Sequence, residues 1–141
     1  MDDIFVARLM STDTHVVAPD TPVEEAGRRM LDHDIGSVMI VDEHNHLEGI
    51  LTTTDFVTIV AESQPKAETT VTRYMTTDVI TADAQDSIVD AATIMVTNGV
   101  HHLPVVDDAE GVIGMITTAD LAAYLSQVTE SVPQTATAQA R

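Results

Sequence analysis

The segment Gly49-Ile50-Leu51-Thr52-Thr53-Thr54-Asp55 returns later in the chain as Gly114-Met115-Ile116-Thr117-Thr118-Ala119-Asp120. In both copies a short apolar strand runs into a helix. Thr52 and Thr117 stand where the helix needs an N-cap, with Asp55 and Asp120 three residues on. Thr-x-x-Asp is a variant capping box, in which hydroxyl and carboxylate satisfy backbone N–H groups that have no partner inside the helix. The same groups can hold a ligand. A helix N-terminus presents free donors and a favourable dipole to an anion, and a nearby carboxylate can accept from ribose hydroxyls. Capping alone accounts for one copy, but repetition of the whole pattern, glycine included, favours a ligand.

Other chemistry is weaker. His44 and His46 fall in a polar turn and His101 and His102 are adjacent, so neither pair sits at a metal-ligating helical spacing. The chain has no cysteine, hence no thiolate metal site, disulfide or cysteine nucleophile. His44 and His46 therefore read as solvated turn residues. His33 reads as the end of a helix, where a cation is favoured. The methionines read as core filler.

The elements that position these residues come in duplicate. Shifting the sequence by 65 residues aligns 6–63 with 71–128 without a gap, pairing Arg8 with Arg73, Thr12 with Thr77, Asp13 with Asp78, Met30 with Met95 and Asp42 with Asp107. Each copy predicts strand, helix, strand, strand, helix. Short strands are expected near Val16 and Val79. The first helix opens at Thr21-Pro22, with Pro at its first helical position, Glu24 and Glu25 in the first turn, and Val23, Ala26, Met30 and Leu31 on its buried face. Its counterpart begins near Asp86, buries Ile88, Ala91, Ala92, Met95 and Val96, and ends at Gly99. Hairpins follow, with strands at 38–41 and 47–51, then 103–106 and 112–116. Closing helices carry the stripes Phe56, Ile59, Val60 and Leu121, Tyr124, Leu125, Val128. The expected organisation is repeat 1 over 1–63, a linker over 64–70, repeat 2 over 71–128, and a flexible tail over 129–141.

Charge restricts the partners. Asp and Glu total 23 against 6 Lys and Arg, a net charge of −17, which repels nucleic acid and anionic membranes. In molar salt the Debye length falls to about 3 Å and the self-repulsion is screened. Acidic excess with Lys66 as the lone lysine resembles a protein of a salt-loving archaeon. No apolar run is long enough to span a bilayer. The start, Met1-Asp2-Asp3-Ile4-Phe5, lacks the features of a secretory leader, so a cytoplasmic location is expected.

The duplicated unit, the Asp-Val-Ile-Thr stretch ending at Thr81, the Leu-Pro-Val-Val-Asp strand starting at Leu103 and both Gly-x-x-Thr-x-x-Asp endings together resemble a tandem pair of CBS (cystathionine-β-synthase) domains. The resemblance implies an α/β fold in which two CBS repeats pack with pseudo-two-fold symmetry. It also implies a regulatory module whose cleft takes AMP, ADP, ATP, S-adenosylmethionine or an NAD-like ligand, with no cofactor required. The family's threonine and aspartate fall on Thr52, Asp55, Thr117 and Asp120. Thr81 matches a position that often lines the cleft, and His101 and His102 match positions that often face phosphate. The first half has Gly36-Ser37 there, and Met39 in place of Pro104, so the Thr117/Asp120 site is expected to bind more tightly. A homodimer acting on an unidentified regulated protein is expected, and the net acidity favours AMP or S-adenosylmethionine over ATP. A dimerisation or protein-interaction scaffold with empty clefts remains the alternative. An enzyme is not expected: a chain of 141 residues has no room for a barrel of about 250 residues and shows no activated nucleophile.

Overall fold

The computed structural model describes residues 4–62 and 67–128. The expected flexible tail over 129–141 and residues 64–66 of the expected linker lie outside the described residues, as does the side chain of Val128. The first repeat forms α1 (Val6–Leu9), β1 (Val16–Val17), α2 (Val23–His33), β2 (Ser37–Val41), β3 (Leu47–Thr52) and α3 (Thr53–Glu62). After a 3-10 turn at Val71–Arg73 come α4 (Ile88–Asn98), β4 (His102–Asp107), β5 (Gly111–Thr117) and α5 (Thr118–Val128). The sheets run β1-β2-β3, with β1 parallel and β3 antiparallel to β2, and β4-β5 antiparallel.

The expected strand near Val79 does not form. Its place is taken by a single parallel bridge between Ala82 and Val105. Proline explains the difference. In repeat 1 the Met39 N–H donates to the His15 carbonyl at 3.0 Å and extends the ladder. The equivalent residue of repeat 2 is Pro104, which has no N–H to give the Ile80 carbonyl. Only the bonds from Ala82 N–H to Pro104 (2.9 Å) and from Val106 N–H to Ala82 (3.0 Å) remain.

Helix starts also differ from expectation. Pro22 caps α2 in an extended conformation (φ −64°, ψ 147°) rather than occupying its first helical position, and α4 starts at Ile88 behind a Ser87 cap. The first helical N–H of each is satisfied from afar: Val23 donates to the Thr69 carbonyl and Ile88 to the Ile4 carbonyl, both at 2.8 Å.

Those two bonds belong to an exchange of arms. Residues 4–11 pack on the second repeat and residues 69–76 on the first. Val6 is buried with Ala82, Ala91, Met95, Leu103 and Ile116. Val71 is buried with Val23, Ala26, Leu51 and Ile59. Ser11 pairs with Met115, and Thr76 with Ile50. A third cluster, centred on Met39, Val41 and Val112, fills the space between the sheets.

The arms explain the glycine of the repeated motif. A Cβ on Gly114 would stand 2.6 Å from Met10 Sδ and 3.0 Å from the Ser11 carbonyl, and one on Gly49 would stand 2.5 Å from Met75 Sδ. Neither glycine has a positive φ, so space rather than backbone freedom sets the choice.

Four residues expected in the core are exposed: Leu31 (83%), Val96 (83%), Val60 (63%) and Leu125 (59%). Each helix buries a narrow stripe, in α2 Val23, Ala26 and Met30, and Leu31 falls outside it. Leu31 and Val96 occupy equivalent places in the two repeats, as do Val60 and Leu125.

Gly114→Ala is expected to lower the unfolding free energy by about 1–3 kcal/mol in urea denaturation, because Met10 and the Ser11 backbone must move. A loss below about 0.5 kcal/mol, typical of an indifferent surface site, would show that the arm does not pack there.

Candidate functional site

The second Thr-x-x-Asp segment forms the whole capping geometry read from the sequence, and the first forms half of it, with the Thr52 hydroxyl turned to Asp55 Oδ2 at 3.4 Å instead of accepting from a backbone N–H. Thr117 N–H donates to Asp120 Oδ2 at 2.9 Å, and Asp120 N–H donates to Thr117 Oγ1 at 3.1 Å. In the first repeat Thr52 N–H donates to Asp55 Oδ2 at 2.8 Å. The first helical N–H of α5, at Thr118, donates to the His101 carbonyl at 3.1 Å, and that of α3, at Thr53, to the Gly36 carbonyl at 3.2 Å. Capping therefore uses one oxygen of Asp120. Asp120 Oδ1 and the Ala119 N–H have no partner among the described residues.

Two clefts open beside these helix starts. The larger, about 380 Å³, is walled by residues 11 and 13–15, 34–37 and Met39 from the first repeat. The second repeat supplies His101, His102, Met115 and residues 117–120. The smaller, about 260 Å³, lies at the equivalent place beside Thr52, Thr53 and Thr54, closed by Thr76, residues 78–80 and residues 99–102. Each cleft is thus built by both repeats. The arm exchange causes this, because the chain leaving each arm crosses to the other repeat's helix start before entering its own sheet.

Of the residues singled out in the sequence, Gly36, Ser37, His101, His102, Thr117 and Asp120 meet in the larger cleft. Thr52 lines the smaller one, and Asp55 stays behind it on the Thr52 N–H. Thr81 is brought to neither. It lines a separate hollow with His46, Asp107 and Asp108. The side-chain asymmetry between halves does not assign the histidines to one site, because His101 and His102 border both clefts. Sequence reasoning missed Asp13, Thr14, His15 and Asp34. The Asp13/Asp78 identity was the available signal, but nothing in the sequence ties it to a helix start across the molecule.

The larger cleft carries three aspartates (Asp13, Asp34, Asp120) and three histidines (His15, His101, His102), and neither cleft is lined by lysine or arginine. Asp13 Oδ2 lies 3.8 Å from His15 Nε2, and the His15 ring sits against His33, with centroids 4.5 Å apart. Burial pushes the His102 imidazole below its ordinary pKa, and the neighbouring His101 adds to the effect. His102 is therefore neutral at pH 7 and offers hydrogen bonds rather than charge. Among the described residues no group of three or more histidine, aspartate or glutamate side chains could hold a metal ion. None of the described helices is long and apolar enough to cross a membrane.

Known proteins give this geometry a context. The CBS domain family matches residues 6–62 and again residues 71–127. An uncharacterized 17.7 kDa protein of Acidianus ambivalens is 33% identical over 123 residues, covering 87% of this chain and 74% of that protein. Protein MJ1404 of Methanocaldococcus jannaschii is 36% identical over 114 residues, covering 81% of this chain but only 27% of its own length. Among solved structures, the CBS domain pair of protein MJ0100, in complex with 5′-methylthioadenosine and S-adenosyl-L-methionine, superposes with a TM-score of 0.83 at 28% identity. That match covers 90% of this chain and 99% of the other.

In a proton-NMR titration His102 should show a midpoint below 6.5, the ordinary histidine value. A folded-state pKa below the unfolded one means that the unfolded chain binds the proton first, so the stability tied to neutral His102 is present above pH 6.5 and lost as pH falls through the folded midpoint. A midpoint at 6.5 would mean that the ring faces open solvent, and one above it that the ring faces a carboxylate.

Proposed function

Because the chain belongs to the CBS domain family, we propose that it is a non-catalytic regulatory module that takes an adenosine-type ligand in the larger cleft and signals occupancy to a partner protein. The observation that carries this is a 380 Å³ cleft built by both repeats, within the roughly 300–1,000 Å³ of small-molecule sites. At its wall the α5 N-terminus carries a donor at Ala119 and a carboxylate oxygen on Asp120 that have no partner among the described residues. Asp120 Oδ1 accepts from the ribose hydroxyls, while its other oxygen holds the helix start. Thr117 and Ala119 bind the polar edge beyond.

The charge of the cleft selects within the class. Three aspartates, no lysine or arginine and a neutral His102 oppose a triphosphate. They tolerate an uncharged thioether and attract a sulfonium or ammonium group. The preferred ligands are therefore S-adenosylmethionine and 5′-methylthioadenosine, the two seen with the MJ0100 pair, ahead of AMP and well ahead of ATP.

A thermal-shift panel in molar KCl tests this. Ligand at about a hundred times its Kd adds about 2.7 kcal/mol, which for a chain of this size raises Tm by several degrees. S-adenosylmethionine and 5′-methylthioadenosine should produce the shift, ATP a smaller one, and Asp120→Ala should lose most of it relative to its own unliganded Tm. No shift with any adenosine compound favours the scaffold reading.

The repeated exposed residues Leu31/Val96 and Val60/Leu125 support association as well. Exposed apolar residues repeated at equivalent positions on one chain suit a symmetric pair of chains, and the module acts as a homodimer. Light scattering at high salt should give twice the 15.1 kDa chain mass, and Val60→Glu with Leu125→Glu should halve it. A monomer mass for the unaltered chain contradicts the dimer.

A further inference from the structure

The two clefts are related by the repeat, yet they share a wall. His101 and His102 border both, whereas Gly36 and Ser37, which hold the equivalent places in repeat 1, border only the larger. The cause is side-chain length. Glycine and serine cannot reach across the pseudo-two-fold axis, and histidine can. Of the two histidines, His102 is the more buried. It is half-buried, and a Cβ on Gly36 would lie 3.0 Å from its Nε2.

We propose that the His102 side chain couples the two clefts, so that an adenosine-type ligand in one weakens binding in the other. The proposal rests on the adenosine reading above and adds the regulation of that site. The backbone under His102 is fixed. Residue 102 pairs with Thr117 in the β4–β5 ladder, and the His101 carbonyl accepts from Thr118 N–H. The ring is left with rotation as its freedom. Its Nε2, at the tip of the ring, faces Gly36, which lines the larger cleft and not the smaller, so a ring turned to offer that tip to a ligand in one cleft is withdrawn from the other. Each ligand thus prefers its own ring orientation, and that difference in affinity is the coupling. The sign is negative because the two orientations exclude each other.

The test uses 5′-methylthioadenosine, whose lack of charge removes repulsion between two bound ligands as a cause. NMR titration of the whole chain in molar KCl follows the Ala119 amide for the larger cleft and the Thr54 amide for the smaller. In the unaltered protein both curves should depart from a simple hyperbola and fit a mutual weakening of at least about fivefold. His102→Ser, which places there the residue that repeat 1 carries at the equivalent Ser37, should reduce the coupling below about twofold, whatever happens to the absolute affinities. Binding in one cleft only, with the second opening in His102→Ser, also supports the proposal. Hyperbolic, independent curves in the unaltered protein overturn it while leaving the adenosine reading intact. So does coupling that survives in His102→Ser, or a single occupied cleft in both proteins. No response at either amide overturns the adenosine reading, and the coupling with it.

Discussion

Each repeat of this protein keeps its hydrophobic core closed with a piece of the other. Val6 and Val71, both fully buried, are the plugs. They are held by reciprocal bridges at Ser11–Met115 and Thr76–Ile50 and by backbone bonds that cap the opposite repeat's helix. A unit of about 60 residues buries only roughly 60% of its unfolded surface, so a single repeat is marginal alone. The exchange joins two such units into one cooperative body, and it explains why Gly49 and Gly114 accompany the Thr-x-x-Asp ends: the methionine of each crossing arm occupies the space a side chain would need.

Function depends on the same exchange. Leaving the arm, residues 11–15 pass the start of α5 before forming β1, and this places Asp13 and His15 opposite Thr117 and Asp120. Without the crossing there would be two capped helices and no cleft. The resulting walls are acidic and imidazole-rich, in keeping with a chain whose net charge is −17, and the proposed recognition draws on hydrogen bonds, shape and attraction for cations rather than on phosphate clamping.

Much of this was legible in the sequence because a duplicated pattern states its period twice. The two-fold α/β architecture, the Thr117/Asp120 capping box, the hairpins, and Gly99 as a left-handed cap (φ 66°) all follow from local residue types. What local pattern could not give was anything settled by the other repeat. Pro104 removes the donor that the leading strand of repeat 2 needed, although nothing near Val79 announces it. Leu31 and Val96 fit a helical stripe on paper, but the stripes that are buried stop at Met30 and Met95. Thr81 matched by position yet points into a different hollow, while Asp13 and Asp34, which wall the larger cleft, gain that place only through the crossing.

The central claim is that an adenosine-type ligand binds where the arm-led segment of one repeat faces the helix start of the other. Mapping backbone amide shifts on addition of S-adenosylmethionine tests it most directly. The account predicts simultaneous changes at Asp13–His15, Gly36 and Thr117–Asp120, residues more than a hundred positions apart at their extremes. Changes confined to the Thr81, Asp107 and Asp108 hollow, or spread over the surface without a cluster, would contradict it.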